Sequence, residues 1–417
     1  FMMAIVGNRL LIAGVTAGRY PLWGSVYLRW WLSDRLTDLA PSYLLAGSSL
    51  YVSYLRALGA KVGNNVNIGS ITIRNPHLLS IGNNVDIGNG VNLDNAYVEK
   101  GWLHLGQIAL GNDTYVGSYS VLEGNTTMAD GSYLDGLAAV VSGMQLPANT
   151  AWQGAPLQPI NKPEPMPASQ PQNIGMRLHL YYLLGMVLVA CLFYMPIFPT
   201  FIMVDAFDEK FVLPFFQAEG YHWTMLRYFI LAIPGTAIMI FLTVLVSAAI
   251  RWLAVPKLQA GMHPVHGSLY RRKWLANLIQ ESSLQTLHGI YATVYAPYWY
   301  RLLGAKVGKN AEISTAMGVV PDMLTLGDDS FIADAVMLGD EEIRQGWMHL
   351  KPTVVGSRSF VGNGAYVPDG SQIPDDVLIG VQSRVPTNEQ MQQAHTGKAM
   401  SDAGQGQTTQ GQTWFGT

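Results

Sequence analysis

The sequence predicts a mainly β chain with membrane α segments, in which two left-handed parallel β-helix domains are joined by a transmembrane helical hairpin. Three observations predict this fold: a long internal repeat, a finer apolar period of six residues within each copy, and two long uncharged apolar runs between the copies. The composition agrees, because charged residues make up 13% of the chain, about half of the ~25% found in ordinary soluble proteins.

The internal repeat has a fixed offset of 245 residues over its longest part. Three pairs of segments carry it, the last pair with a two-residue slip: RALGAKVG (56–63) and RLLGAKVG (301–308), GWLHL (101–105) and GWMHL (346–350), PLWGSVYLRWWL (21–32) and PVHGSLYRRKWL (264–275). The chain therefore consists of two copies of one unit.

Within each copy, apolar residues recur every six positions, and glycine commonly follows them. The first copy has Val62, Ile68, Ile81, Ile87, Leu93, Leu110, Val116, Leu122, Met128, Leu134 and Val140, and the second has Val307, Ile313, Leu326, Ile332, Leu338, Val355, Val361, Val367, Ile373 and Ile379. This hexapeptide period is typical of a parallel β-helix, in which one aliphatic side chain per face stacks on its equivalent one coil up. Both copies break the period at the same coil, so we expect an excursion loop there that carries Gly-Trp-x-His-Leu.

The two apolar runs, Leu180–Val204 and Tyr228–Ile250, contain no charged residue and are long enough to cross a bilayer. The segment between them is acidic and the outer flanks are basic, which predicts cytoplasmic flanks and cytoplasmic β-helix domains at the inner or plasma membrane. Two buried helices in a large soluble core are the alternative.

The predicted domains follow from these patterns. They are a partial membrane helix cut by a fragment boundary (1–20), an interfacial helical segment (21–58), the first β-helix (59–156), a proline-rich linker (157–177), the hairpin (178–252, with spans at about 180–204 and 228–250), a second interfacial segment (253–303), and the second β-helix with a glutamine-rich insertion at about 386–412 (304–417).

The tandem arrangement resembles the membrane-bound C-terminal region of nonribosomal peptide synthetases of the ε-poly-L-lysine synthetase type, within the left-handed β-helix acyltransferase superfamily. The segments that carry the resemblance are RLLGAKVG, Ser-Phe-Val-Gly-Asn at 359–363, and Thr-Trp-Phe-Gly-Thr at 413–417, which matches Ala-Trp-Gln-Gly-Ala at 151–155. The resemblance covers nearly the whole chain.

The resemblance implies a membrane-anchored terminal module that forms amide bonds by acyl transfer. The acyl donor would be a phosphopantetheine thioester on a carrier protein, or coenzyme A, with no cofactor bound in this chain. The implied partners are upstream adenylation and carrier domains, an aminoacyl or peptidyl substrate, membrane lipid, and a third β-helix unit or oligomer partner. An acetyl-CoA-dependent acetyltransferase and a noncatalytic membrane scaffold are the alternatives.

Histidine suits the base that such acyl transfer needs, because its ordinary pKa is about 6.5. The equivalent residues His104 and His349 are therefore the candidate catalytic residues, with Trp102 and Trp347 as candidate walls of the substrate site. The alternative is that these side chains only plug the excursion loop against the β-helix.

Carboxylates at the base of the excursion loop are candidate ligands of a cationic substrate, by charge complementarity. They are Asp94, Asp340 and Glu342, with a solvated loop as the alternative. Phosphate-binding, dinucleotide and Gly-x-Ser-x-Gly motifs are absent, and one cysteine argues against a cysteine metal site. A net charge of −3 disfavours a nucleic-acid partner, and no metal site is predicted.

Overall fold

The first copy of the repeat begins with helices and one strand that lie against the base of a stack of parallel strands. A computed structural model describes residues 1–167, 174–216, 222–255, 257–287, 293–391 and 412–414. The leading elements are α1 (Met2–Leu11), β1 (Gly18–Pro21), α2 (Ser25–Asp38) and α3 (Ser49–Leu58).

The strands of the first copy are short, as the hexapeptide period predicts. They are β2 (Lys61–Val62), β3 (Asn67–Ile68), β4 (Ile71–Ile73), β5 (Leu79–Ile81), β6 (Asp86–Ile87), β7 (Val91–Asp94), β8 (Ala96–Glu99), β9 (Trp102–Leu105), β10 (Ile108–Leu110), β11 (Tyr115–Val116), β12 (Val121–Glu123), β13 (Thr126–Met128), β14 (Tyr133–Leu134), β15 (Ala139–Val140), β16 (Gln145–Leu146), β17 (Ala151–Gln153) and β18 (Gln158–Ile160).

Three sheets of parallel strands form what we call the first stack (residues 61–153). Their strand orders are β16-β13-β10-β5-β2, β17-β14-β11-β6-β3 and β15-β12-β7-β4, and β18 adds to the second sheet antiparallel to β17. Strands of successive coils pair in register, so that Leu110 lies between Ile81 and Met128. The period-six side chains are therefore brought one above another in the core.

The core of the first stack consists of these period-six side chains. Leu93, Val116, Leu122, Met128 and Leu134 have no exposed surface, and removing such apolar surface from water is the main favourable contribution to folding. The glycines that follow are required by close coil spacing, since a Cβ on Gly82 would lie 2.7 Å from the backbone of Gly111.

Four helices join the two copies. They are α4 (Met176–Tyr194), α5 (Ile197–Phe207), α6 (Leu213–Phe216) and α7 (His222–Ala254), with a π-helical turn at Asp208–Val212 before α6. The first apolar run is thus two helices that meet at Met195 and Pro196, where the sequence predicted one span. Within the described residues one helical stretch, Met225–Leu253, is long and apolar enough to cross a membrane.

The second copy repeats the order of the first. It contains β19 (Gly261–Pro264), α8 (Ser268–Thr286), α9 (Ala296–Leu303), β20 (Lys306–Val307), β21 (Glu312–Ile313), β22 (Leu324–Leu326), β23 (Phe331–Ile332), β24 (Met337–Asp340), β25 (Glu342–Arg344), β26 (Trp347–Leu350), β27 (Thr353–Val355), β28 (Phe360–Val361), β29 (Tyr366–Pro368), β30 (Gln372–Ile373), β31 (Val377–Ile379) and β32 (Gln412–Trp414).

The second stack (residues 306–379 with 412–414) also has three parallel sheets, in the orders β20-β22-β27-β30, β21-β23-β28-β31-β32 and β24-β29. Trp414 pairs with Ile379, and its equivalent Trp152 pairs with Leu134 in the first stack. The expected match between the two closing segments therefore has a structural basis. The predicted glutamine-rich insertion lies mostly at 392–411, outside the described residues.

The two stacks contact each other, and α8 of the second copy lies against the first copy. Tyr270 on this helix donates a hydrogen bond to the Gly47 carbonyl at 2.6 Å, and Trp274 donates one to the Ala46 carbonyl at 2.9 Å. The junction between the copies is thus built from one helix, one hairpin and one face of each stack.

Candidate functional site

The excursion loop of each copy is a β-hairpin. In the first copy β8 and β9 pair antiparallel, and β1 adds a third strand on the other side of β9. The turn residues Lys100 and Gly101 both have positive φ, at 47° and 82°, which is the geometry of a type I′ hairpin turn. The second copy repeats it with β25, β26 and β19, and Gln345 and Gly346 at the turn. The repeated Gly-Trp-x-His-Leu is therefore a turn glycine followed by a strand.

The candidate residues of the first copy each contact a different neighbouring side chain of that copy. His104 is half-buried and stacks on Tyr97 with ring centres 4.6 Å apart. Trp102 is 40% exposed, and the Arg19 guanidinium lies 5.5 Å from its ring centre. Asp94, on β7, is 4.0 Å from Arg74, which is also 3.9 Å from Asp34. These residues form a surface group on the first copy.

The second hairpin places its histidine beside a candidate carboxylate. His349 lies opposite Glu342 on β25 and opposite Met262 on β19. Burial, followed by the positive charge of Lys351, lowers the pKa of His349, which favours the neutral form that accepts a proton. Trp347 donates a hydrogen bond from its indole nitrogen to the Pro167 carbonyl at 2.9 Å.

The second hairpin also leans over the first stack. The backbone nitrogen of Gln345 donates a hydrogen bond to the Asp86 carboxylate at 2.7 Å, and the Arg344 guanidinium lies 5.8 Å from the ring centre of Tyr133. Burial raises the pKa of Asp86 to about 7. The turn of one copy therefore contacts the outer face of the other.

Asp340 is at the centre of the junction between the stacks. Asn89 donates a hydrogen bond to one carboxylate oxygen at 2.7 Å, and the Ser118 hydroxyl donates one to the other oxygen. Burial, followed by the neighbouring charge of Glu341, raises the pKa of Asp340. Of the predicted site residues, Asp340 alone accepts hydrogen bonds from side chains of the first stack, among the bonds described.

Two adjoining cavities open beside Asp340. They comprise about 470 and 570 Å³ of space, part of it open to solvent, and share Asn89, Asn277 and Glu281 in their walls. The first is also lined by Lys273 and Glu341. A further set of residues lines the second: Ser70, Gln280, Ala316, Met317, Gly318, Val319 and Met337. The space is therefore formed by both copies together, and we call it the junction cavity.

Glu281 faces the junction cavity from α8. Its side chain is accessible to water, although the surrounding protein desolvates it and raises its pKa to about 7, against an opposing effect of Lys273. Lys273 forms a buried ion pair with Glu341, each side chain being at most 5% exposed. A carboxyl group that titrates near neutral pH in a cavity is suited to binding a cation or accepting a proton.

Sequence reasoning did not select the helix residues of the junction cavity. Lys273, Asn277 and Glu281 are spaced by four, which places them on one face of α8. That polar stripe between apolar residues was a usable signal of a polar site on this helix. In the alignment of the two copies with the two-residue slip, Glu281 corresponds to Asp38 of the first copy. Within the described residues, no group of three or more metal-ligating side chains is arranged to hold a metal ion.

Comparisons with known proteins agree with the sequence resemblance. No family model matches the chain. The chain is 50% identical over 423 aligned residues to the delta-poly-L-ornithine synthetase of Acinetobacter baumannii. The match covers 100% of this chain and 30% of the relative, so the chain spans less than a third of the relative's length. The predicted resemblance to synthetases of this type is confirmed.

Solved structures with similar parts are hexapeptide-repeat acetyltransferases. One is an acetyltransferase from Vibrio cholerae, at 13% identity and a TM-score of 0.23, covering 27% of this chain and 80% of that one. Another is a galactoside acetyltransferase in complex with coenzyme A, at 20% identity and a TM-score of 0.21, covering 27% of this chain and 69% of that one.

Proposed function

On the premise that the whole chain is related to part of a poly-ornithine synthetase, we propose that it is the terminal module in which such a synthetase forms amide bonds. The observation that supports this most is the 50% identity over the full length of the chain. The junction cavity adds a concave space with polar groups on its walls, which is the usual character of a small-molecule site, although neither candidate histidine lines it.

The proposed reaction is acyl transfer from a thioester to an amine. The amine nitrogen bonds to the thioester carbonyl carbon, the carbon–sulfur bond breaks and the sulfur departs as a thiolate, and a base takes the proton that the amine loses and returns it to that thiolate. We assign the base to His349 or His104, and we assign substrate contacts to Trp102, Trp347, Asp94, Asp340 and Glu342. The pairing of His349 with Glu342 supports the second hairpin more than the first.

The donor in this proposal is a phosphopantetheine thioester on a carrier protein, supplied by upstream adenylation and carrier domains. Coenzyme A is the alternative donor, and it would make the chain an acetyltransferase of the ordinary hexapeptide type. The noncatalytic alternative is a membrane scaffold that holds the other synthetase domains.

We also propose that both stacks are left-handed β-helix domains on the cytoplasmic side of the inner or plasma membrane, anchored by a hairpin. The long apolar helix Met225–Leu253 supports an anchor of this kind. The Asp208–Arg227 ion pair at the far end of the helices is consistent with a polar segment outside the bilayer.

A third β-helix unit is the partner that we propose for the second stack. The outer face of the second stack carries four exposed apolar side chains: Phe331, Phe360, Leu378 and Val381, which are 37%, 37%, 36% and 63% exposed. The repeat relates these positions to Asp86, Tyr115, Tyr133 and Gly136, on the face of the first stack that the second copy covers. An equivalent apolar face is therefore available for the next unit in a heterologous arrangement.

The test replaces the corresponding region of the related synthetase with this chain and measures amino-acid polymer formed from ATP and each amino acid by mass spectrometry. We expect polymer from the chimera, and at least about a hundredfold less when His104 and His349 are both changed to alanine. His179→Ala is the control, because His179 lies on α4 and its described hydrogen-bond partner is the Gly175 carbonyl.

Normal polymer from the double variant would refute the histidine assignment. If no amino acid gave polymer while the chimera acetylated an amine with acetyl-CoA, the acetyltransferase function would replace the one proposed. Polymer that forms equally well when every candidate base is removed would favour the scaffold.

A further inference from the structure

The junction cavity is formed only where the two copies meet. Asn89 and Ser70 come from the first stack, while Asn277 and Glu281 come from α8 of the second copy. Asn89, Asn277 and Glu281 line both parts, so the two parts adjoin at these residues. A ligand bound beside Glu281 is therefore close to the walls of both parts.

The polar part of the junction cavity has more acidic than basic groups. Glu281, Glu341 and Asp340 lie around it, and Lys273 is the cation that faces them in the described part of the chain. Lys273 pairs with one oxygen of Glu341, and the buried second oxygen of Glu341 has no hydrogen-bond partner. A buried carboxylate oxygen without a partner is costly, so a donor at this position would be stabilising.

Glu281 supplies a second acceptor without a protein partner. Among the described residues, its carboxylate makes no hydrogen bond or ion pair, although it lines both parts of the cavity. By contrast, both oxygens of Asp340 are occupied by Asn89 and Ser118. The acceptors that remain for a ligand are thus on Glu281 and Glu341.

The other part of the junction cavity is lined mainly by small and apolar groups. Ala316 and Val319 are buried there, and Met317 and Met337 contribute flexible thioether side chains, which adapt to unbranched aliphatic chains. Gly318 has φ of +67° and keeps the wall free of a side chain.

We propose that the junction cavity binds a primary ammonium group carried on a short methylene chain, as in the side chain of an α,ω-diamino acid. Glu281 and the free oxygen of Glu341 accept hydrogen bonds from the ammonium, and the methylenes lie against Ala316, Met317 and Met337. The inference deepens the proposed function and rests on it for the view that the bound amine is a substrate. The carboxylates on the wall disfavour a ligand whose only charged group is an anion, such as phosphate.

The test is direct binding to the purified full chain in detergent, by isothermal titration calorimetry. The probes are L-ornithine and L-norvaline, which differ by the terminal ammonium. We expect saturable binding of ornithine and at least about tenfold weaker binding of norvaline. Glu281→Gln should weaken ornithine binding by at least about tenfold, whereas Glu312→Gln, an exposed glutamate of the second stack, should not.

A second variant tests the cavity without changing the charge of Glu281. Asn277→Trp fills the shared part of the cavity and should abolish binding, with its thermal unfolding midpoint measured alongside to verify folding. Equal binding of ornithine and norvaline, or ornithine binding that survives in both folded variants, would overturn the inference.

Failure of the proposed function has a separate readout. If Glu281→Gln abolishes ornithine binding to the chain but leaves polymer formation by the chimeric synthetase unchanged, the cavity is not the substrate site and the proposed function stands. If ornithine binds as expected but the chimera makes no polymer, the proposed function fails and the binding site stands.

Discussion

At the scale of single residues, the junction is notable for carboxyl groups that are held protonated. Burial raises the pKa of Asp369 to about 8, and the acidic groups Glu342, Glu341 and Asp340 add to the effect of burial while Lys351 opposes it. One oxygen of Asp369 is buried without a hydrogen-bond partner. The folded chain therefore binds a proton here that the unfolded chain releases near pH 4.

This raised pKa predicts that stability falls as the pH rises. The folded state holds the proton more tightly, so the stabilisation is complete below about pH 4 and is lost as the pH passes through about 8. Between pH 6 and 8 one such group changes the free energy of unfolding by at most about 1.4 kcal/mol per pH unit. We expect a lower thermal unfolding midpoint at pH 8 than at pH 6, measured at one scan rate.

Asp369→Asn should reduce that pH dependence, because the amide does not titrate. Asp376→Asn is the matched control: Asp376 is exposed and Arg358 lowers its pKa, so it titrates below this range. An unchanged slope in Asp369→Asn would contradict the assignment of the pH effect to this carboxyl group.

At the scale of elements, the period of six predicted the coils of each stack. Each inward side chain packs between the equivalent side chains of the coils above and below, so the apolar residues recur once per face. Leu93 and Leu122 are fully buried where the period places them, and Asn65 and Asn84 have positive φ, a conformation that asparagine adopts more readily than most residues. The β-hairpin form of the excursion loops was not predicted. The turn at Gly101 or Gly346 interrupts the period of six, and the strands on either side of it show no periodic pattern that would identify them. The break at Pro196 was also missed, because proline is tolerated in membrane helices and composition alone does not locate a break.

A buried ion pair attaches α7 to the second stack. Arg251 pairs with Asp322, with side chains that are 4% and 0% exposed, and the Leu258 nitrogen donates a further hydrogen bond to Asp322 at 3.1 Å. Removing one partner leaves an uncompensated buried charge, so Asp322→Ala should cost about 3–5 kcal/mol of stability. Chemical denaturation of the purified chain measures this loss.

The exposed pair Arg358–Asp376, at 57% and 51% exposure, provides the control for that loss. Asp376→Ala should change stability much less, because water screens an exposed pair. The double variant Arg251→Met with Asp322→Ala should recover part of the loss, since no buried charge then remains. Equal losses from the buried and exposed pairs would show that the buried pair does not attach α7.

At the scale of the whole molecule, function depends on what the repeat brings together across about 250 residues of sequence. Asp340 was selected from sequence for its place at the base of the loop, but its partners Asn89 and Ser118 lie in the other copy. Such contacts depend on how one stack is rotated against the other, and a repeat does not specify that rotation. Glu281 was missed because it lines a cavity only where the first copy docks, although its spacing along α8 was a signal.

The same rotation leaves one equivalent face uncovered, and this predicts association. The second stack exposes Phe331 and Phe360 with ring centres 5.3 Å apart, beside Leu378 and Val381. The corresponding face of the first stack is covered, and a contiguous apolar group of this kind usually marks an interaction site. We therefore expect the purified chain to self-associate with rising concentration, by sedimentation velocity in a density-matched detergent.

The double variant Phe360→Ser with Leu378→Ser should weaken that association by at least about tenfold, because burial of apolar surface on this face would no longer drive the association. Met144→Ser, at a 37% exposed methionine on the first stack, is the control and should leave association unchanged. The unaltered chain should associate because the contact is heterologous. The face that binds the next unit differs from the face that binds the previous one, so each added unit leaves one face free until a ring closes. If the Phe360 and Leu378 variant sedimented like the unaltered chain at every concentration, the exposed face would not be the continuation of the junction between the two copies.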